Sequence, residues 1–436
     1  MATRDKQLYA ALMKPFAVGF GLLPAAARNR IYAAFDNDYA MTWSNATRTA
    51  TIEGLRVDAN GKVHVGGAPA LQPMYRPVIF RAPANADIAT TCFHVFGAAG
   101  KIVSITEIHT TAGNDAGAVT GHVTKDVSGV APGAGTSVMS GTFDLKGTAN
   151  TKQTATLASS SATLEFVAGD RLSFKLTGTP TTAAGICLEV WVQYYTNVFE
   201  TSIYIASGNQ DQAFFVANRP YALLGLRYSH ATAETTLATL NIQVTQDTST
   251  NAPGAGTNLL TNNSNEGFAC TGTANVPQVG TFTAVTLPAG DRLSIDYDGT
   301  ATELAGIVVT ATFTAEPNRQ EISYWRHDTD VLDAVYFDAD RDYELYDGRQ
   351  VHSVAAGGAS TANVERVSGT SSPSSGTAML NTAWDLNATA NTVQVADLVT
   401  VKSTLLIPAD YRLSIDYANT EQSMVGMLQT LSLLAR

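Results

Sequence analysis

Apolar and polar side chains alternate along much of this chain. In Leu293-Ser294-Ile295-Asp296-Tyr297 the alternation is strict; Leu172, Phe174 and Leu176 keep it in an earlier stretch, and Leu413, Ile415 and Tyr417 in a later one. Successive side chains of a strand point to opposite faces, so a period of two predicts strands with one face in a core and the other in water. Ile186, Leu188, Val190 and Val192 follow the same rule, as do Ile307, Val309, Ala311 and Phe313. Pro288-Ala289-Gly290-Asp291 is turn chemistry: proline fixes φ and glycine supplies a positive one. Turn signals return about every ten residues, the spacing of a β-sandwich or jelly roll. Helical periodicity is confined to the beginning, at Leu8 and Leu12 with nearby alanines and over residues 24–35 with Pro24 in the first turn.

The strand pattern repeats. Arg171, Arg292 and Arg412 each open an Arg-Leu-Ser segment and lie 121 and 120 residues apart. Ala131-Pro-Gly-Ala-Gly-Thr136 returns as Ala252-Pro-Gly-Ala-Gly-Thr257 and more loosely as Ser372-Pro-Ser-Ser-Gly-Thr377, at the same two intervals. Gly185, Gly306 and Gly426 each open an apolar stretch at those intervals again. Phe143, Phe268 and Trp384 stand six residues before the alanine of an Ala-Asn pair, which places Trp384 in a core. Several landmarks with one period define a repeat. The expected organisation is all-β: three tandem jelly-roll-like sandwiches of about 120 residues at 71–196, 197–316 and 317–436, after a partly helical N-terminal segment at 1–70.

Composition narrows the function. Of 436 residues only 15% are charged, well below the ordinary quarter, and the net charge is −11 with no basic run. Nucleic acid is therefore not an expected partner, since phosphate affinity needs clustered Lys and Arg. Cys92, Cys187 and Cys270 are an odd, scattered set without metal spacing, and read as buried small side chains. Residues 14–28 imitate a secretion signal, but Asp5, Pro15 and Pro24 argue against one, and the apolar run is too short to span a membrane.

No catalytic motif stands out, and no catalytic, cofactor-binding or metal residue is assigned. His109, His230 and His352 recur 121 and 122 residues apart; they suggest a metal on a threefold axis or, more simply, a repeated structural histidine. Asp338, Asp340, Asp342 and Glu344 alternate and would share one strand face, where hard oxygens can take calcium or sit as a solvated, arginine-paired face. Asp170-Arg171 and Asp291-Arg292 read as a structural turn, because Tyr411 takes the aspartate's place in the third copy. Gly133-Ala-Gly135 and Gly254-Ala-Gly256 look faintly like phosphate loops but lack a following Lys-Ser or Lys-Thr. Tyr194, Tyr195 and Trp384 are the aromatic candidates for stacking on sugars.

Tandem small jelly rolls rich in Thr, Ala and Gly behind a short arm resemble tailed-bacteriophage virion accessory proteins: head decoration proteins, head fibres and tail-associated spikes. The Ala168-Gly-Asp-Arg-Leu-Ser173 and Ala289-Gly-Asp-Arg-Leu-Ser294 turn-and-strand segments are similar to those of trimeric jelly rolls of the complement-C1q and tumour-necrosis-factor type. The resemblance covers residues 71–436 and implies a homotrimer on the exterior of a virion, in contact with capsid or tail proteins, without catalysis and without a cofactor. Stacked repeats would form a tower held at the particle by residues 1–70. The rival expectation is a tandem glycan- or receptor-binding module whose partner is a host-surface glycan. A polysaccharide-cleaving enzyme needs a carboxylate pair that the sequence does not single out.

Overall fold

The structure is a computed structural model. It describes residues 75–436, apart from 208–209, 238, 249, 263–265, 317, 327–332 and 419–423, and the backbone of four strands nearer the N-terminus. Two compact units result, Met1–Met74 and Tyr75–Arg436. In the first, Met41–Ser44, Thr49–Ile52, Leu55–Val57 and Val63–Val65 form a four-stranded antiparallel meander in chain order. The N-terminal segment therefore carries a small sheet that its sequence did not announce. The two helices expected there, around Leu8 and over 24–35, lie outside the described residues.

The second unit holds three sandwiches of one topology. In the first, an opening strand Arg76–Ala82 pairs with the closing strand Ile186–Tyr194, which pairs with the third strand Gly100–Ile108. The facing sheet sets the second strand Thr91–Val95 beside Arg171–Thr177 and then Thr120–Asp126. Short strands Thr136–Ser137 and Phe143–Asp144 extend one sheet, Gln153–Thr154 and Glu165–Phe166 the other. Counting each short pair as one strand, the orders are 1-8-3-6 and 2-7-4-5, the interleaved double sheet of a jelly roll. The second module repeats this from Val198–Ser207 to Ala305–Thr314, and the third from Arg319–Arg326 to Met427–Ala435. Even the irregularities recur: the second strand of each module slips register, opposite Leu172/Ser173 in the first and at Ala213/Phe215 and Val335/Phe337 in the other two.

Each module has its own apolar core, centred on Phe80, Phe93 and Phe174, on Phe215, Tyr221 and Phe313, and on Tyr336, Phe337 and Tyr343. Alternation misleads in one respect. The polar side of the repeated strands is not in water: Ser173, Ser294 and Ser414 are fully buried, as are Glu189, Thr310, Gln429 and Thr430 on the closing strands.

The reason is the packing of modules. The second strand of the first module lies on the opening and closing strands of the second module; that of the second lies on the corresponding sheet of the third; that of the third returns to the closing strand of the first. Equivalent atoms make each contact. Val95 N donates to Thr310 Oγ1 at 3.2 Å, Val216 N to Thr430 Oγ1 at 3.2 Å, and Asp338 N to Glu189 Oε1 at 2.5 Å. Donors and acceptors occupy matching places in the three repeats, so the modules close a ring about a pseudo-threefold axis rather than stack as a tower. Apolar contacts seal the junctions: Cys92 and Val95 on Val308, Ala213 and Val216 on Leu428, and Phe337 on Trp191 with ring centroids 5.8 Å apart.

Candidate functional site at the pseudo-threefold axis

The opening strands of the three modules face one another across this axis. Strand register makes Arg81, Tyr204 and Trp325 equivalent, since their closing-strand partners Cys187, Val308 and Leu428 are equivalent. Each reaches into the next module. Arg81 Nη1 donates to Ser323 O at 2.9 Å, Trp325 Nε1 to Ser202 O at 3.2 Å, and the Tyr204 hydroxyl to Arg81 O. The cycle runs from first module to third, third to second and second to first. Tyr204 and Trp325 meet edge to face at 5.4 Å, and the Arg81 guanidinium sits 5.3 Å from the Tyr324 ring centroid while its Nη2 donates to Tyr336 O at 2.7 Å.

Above this contact lies a cavity of about 330 Å³ whose walls include Arg81, Asp87, Tyr204, Trp325 and Arg326. Asp87 is held by the backbone N–H of Ala84 at 2.8 Å. Arg326 is 4% exposed, and neither its Nε nor its Nη1 meets a hydrogen-bond acceptor. Among the described residues the site thus combines two guanidinium groups, one carboxylate and three aromatic rings, those of Tyr204, Tyr324 and Trp325.

The candidates singled out by sequence lie elsewhere. His109, His230 and His352 are buried, and each donates from Nε2 to a turn carbonyl: Gly147 at 3.1 Å, Gly272 at 3.0 Å and Ala388 at 3.0 Å. Their own carbonyls accept from Asn150, Asn275 and Asn391, all at 2.7 Å, and those asparagines have positive φ. The histidine is a clasp on a left-handed turn, repeated three times. The Nδ1 environments differ, with Glu107 Oε1 at 3.0 Å in the first copy and Gln350 at 3.1 Å in the third. Burial lowers the basicity of His230 and His352; in His109 it is outweighed by Glu107, which raises it. The three do not converge, and among the described residues no cluster of three or more His, Cys, Asp or Glu could hold a metal.

The acidic stretch does not share a face. Asp338 ends a strand and pairs with Lys152 of the first module at 2.9 Å, Asp340 binds Arg341 and the Tyr343 hydroxyl, Asp342 accepts from Ala409 N at 2.9 Å, and Glu344 pairs with Arg436. The chain turns at residues 339–342 instead of continuing as a strand, which sends the four carboxylates to separate partners.

The two best sequence landmarks prove to be partners. Arg171, Arg292 and Arg412 are each 1% exposed, and their Nη2 groups donate to the loop ahead of the Pro-Gly-Ala-Gly landmark: to Val127 O at 3.2 Å, Thr248 O at 3.2 Å and Gly369 O at 2.7 Å, with a second carbonyl each at Val130, Asn251 and Ser371. The phosphate-loop likeness is explained too. Gly133 N and Gly135 N converge on an anion, at 3.2 and 2.9 Å, but the anion is the chain's own Asp126 carboxylate. Asp247 does the same for Gly256, and Glu365 replaces it in the third copy, accepting from Gly376 N at 3.0 Å.

Trp384 and Tyr194 are buried, the latter donating to Glu200 at 2.9 Å; Tyr195 alone of the three is exposed. The cysteines are buried and unpaired, and burial pushes the thiols up, Cys92 to about 11 and Cys270 to about 12. Sequence reasoning passed over Arg81, Tyr204, Trp325 and Arg326. The available signal was divergence at equivalent positions: where three copies meet on an axis, different side chains build one asymmetric site.

No protein-family model and no curated protein matches the chain. Among solved structures, a chain from the atomic structure of Sulfolobus Turreted Icosahedral Virus aligns over 92% of this chain and 90% of its own length, at 12% identity and a TM-score of 0.17. At that score the superposition carries no argument about this chain.

Proposed function

We propose that this chain is a non-enzymatic structural component on the exterior of a virus particle, in the manner of phage decoration proteins or head fibres, with residues 75–436 displayed and residues 1–74 attaching them to other virion proteins. The observation that carries this reading is the closed ring. Three jelly rolls are arranged about an axis within one chain, the arrangement that the C1q-like resemblance implies for three separate chains. The repeated titratable groups support it: His109, His230, His352, Arg171, Arg292 and Arg412 are all spent on holding loops. Such a unit is rigid and presents few charges, and double-sheet jelly rolls recur in capsids.

A receptor-binding module is the second reading, favoured by the aromatic faces of Tyr204 and Trp325 in the axial cavity. Two preparations separate attachment from display. Particles from the native source are banded on a density gradient and searched for this chain's peptides, and stripped particles are then incubated with the full chain or with residues 75–436 alone. The proposal expects stoichiometric recovery in the band, rebinding of the full chain, and no rebinding of the shortened one. A chain found only free of particles overturns the structural role; rebinding of the shortened chain overturns the attachment role of residues 1–74.

A further inference from the structure

The pseudo-threefold axis repeats a backbone three times but not a site. At equivalent places it puts Arg81, Tyr204 and Trp325, and the cavity they border is walled further by Arg326 and Asp87. We propose that this cavity binds one small ligand per chain, a ring that carries a carboxylate, with the uronate residue of an acidic polysaccharide as its source.

Three observations point to that chemistry. First, Arg326 is 4% exposed yet keeps Nε and Nη1 without an acceptor, and Arg81 Nε likewise has none. Buried, unsatisfied guanidinium donors are costly, and a carboxylate is the acceptor whose planar fork they match. Second, the Tyr204 and Trp325 rings are already fixed, by their contact with each other and by hydrogen bonds from their polar tips to the neighbouring module. Their orientation costs a ligand no ordering, and a flat sugar face is what such a pair accepts. Third, size and charge agree: a cavity of about 330 Å³ holds a monosaccharide rather than a long oligomer, and among the described lining residues two guanidinium groups face the one carboxylate of Asp87, a positive balance that suits a monoanion.

This inference concerns the purified chain and holds whatever the chain is mounted on, so it can fail while the particle role stands. The test uses the full chain, titrated with sodium glucuronate, glucose, sodium benzoate and inorganic phosphate, and read by calorimetry and by tryptophan fluorescence, since Trp325 lies in the wall. Saturable glucuronate binding at one site per chain is expected, with glucose at least tenfold weaker. Arg326→Gln should weaken glucuronate at least tenfold without losing the fold, because it removes an unpaired buried charge; Trp325→Phe, which keeps a flat face, should weaken it less. Tyr195→Ala, away from the cavity, should leave it unchanged. Benzoate binding as tightly as glucuronate would support the ring-carboxylate site and assign it to aromatic acids in place of sugars. Equal affinity for glucose and glucuronate, binding of phosphate alone, no saturable binding, or an unaltered Arg326→Gln protein would each overturn the proposal.

Discussion

Arg292 shows how one side chain can hold a module together. It is 1% exposed and donates to the carbonyls of Thr248 and Asn251, closing the loop that precedes the repeated Ala252-Pro-Gly-Ala-Gly-Thr257 segment. Burial lowers its pKa, with Asp247 and Asp291 opposing. Arg292→Met should cost about 1–3 kcal/mol, by taking the donor from the Thr248 and Asn251 carbonyls and the positive charge from beside Asp247. A urea titration of the full chain checks this; a midpoint within experimental error of the parent would remove Arg292 from the account. The arginine was legible in the sequence as a landmark because three copies keep it. Its partner was not, because the loop it clamps lies some forty residues upstream and only the fold joins them. The glycine landmark has an equally local cause. Gly185, Gly306 and Gly426 have positive φ, and a Cβ at Gly306 would meet the Ala231 Cβ at 2.6 Å.

At the scale of elements, the closing strands carry the information that alternation hid. Period two located Ile186, Leu188, Val190 and Val192 correctly as a core face, but it assigned the other face to water. In the ring that face is buried too, and its polar residues bind the neighbouring module. Periodicity cannot distinguish a polar side chain facing solvent from one facing a hydrogen-bonded junction, since both are simply polar.

The junction between third and first modules has a consequence for pH. Burial and the nearby Asp338 raise the Glu189 pKa well above the usual carboxylate range, and burial raises that of Asp338, against the pull of Lys152. A carboxyl whose pKa is higher folded than unfolded contributes stability that is fully present below its unfolded value and is lost as pH rises through its folded value. The third-to-first junction should accordingly be strongest in mild acid and weaken as pH climbs above the ordinary carboxylate range. Glu189→Gln should flatten that dependence and leave the neutral-pH protein at least as stable, as thermal unfolding across pH would record. A slope identical to the parent's would mean that Glu189 does not titrate with folding.

For the whole molecule, ring closure separates this fold from a row of beads. A tower of three sandwiches would leave the first and third apart, with the second between them. The ring instead brings Lys152 of the first module to Asp338 of the third at 2.9 Å and to the exposed Asp410 at 3.0 Å. The number of modules and their common fold could be read from landmarks spaced 121 and 120 residues apart, but their arrangement could not, because the junction residues differ from copy to copy: Thr310, Thr430 and Glu189 accept the same hydrogen bond. Zero-length carbodiimide coupling of the full chain, followed by peptide mapping of the monomer band, tests closure most directly. The account predicts an amide between Lys152 and Asp410, with Asp338 as the alternative acceptor, formed within single chains. Absence of that link from the monomer, or its appearance only in bands of two or more chains, would contradict a ring closed within one chain.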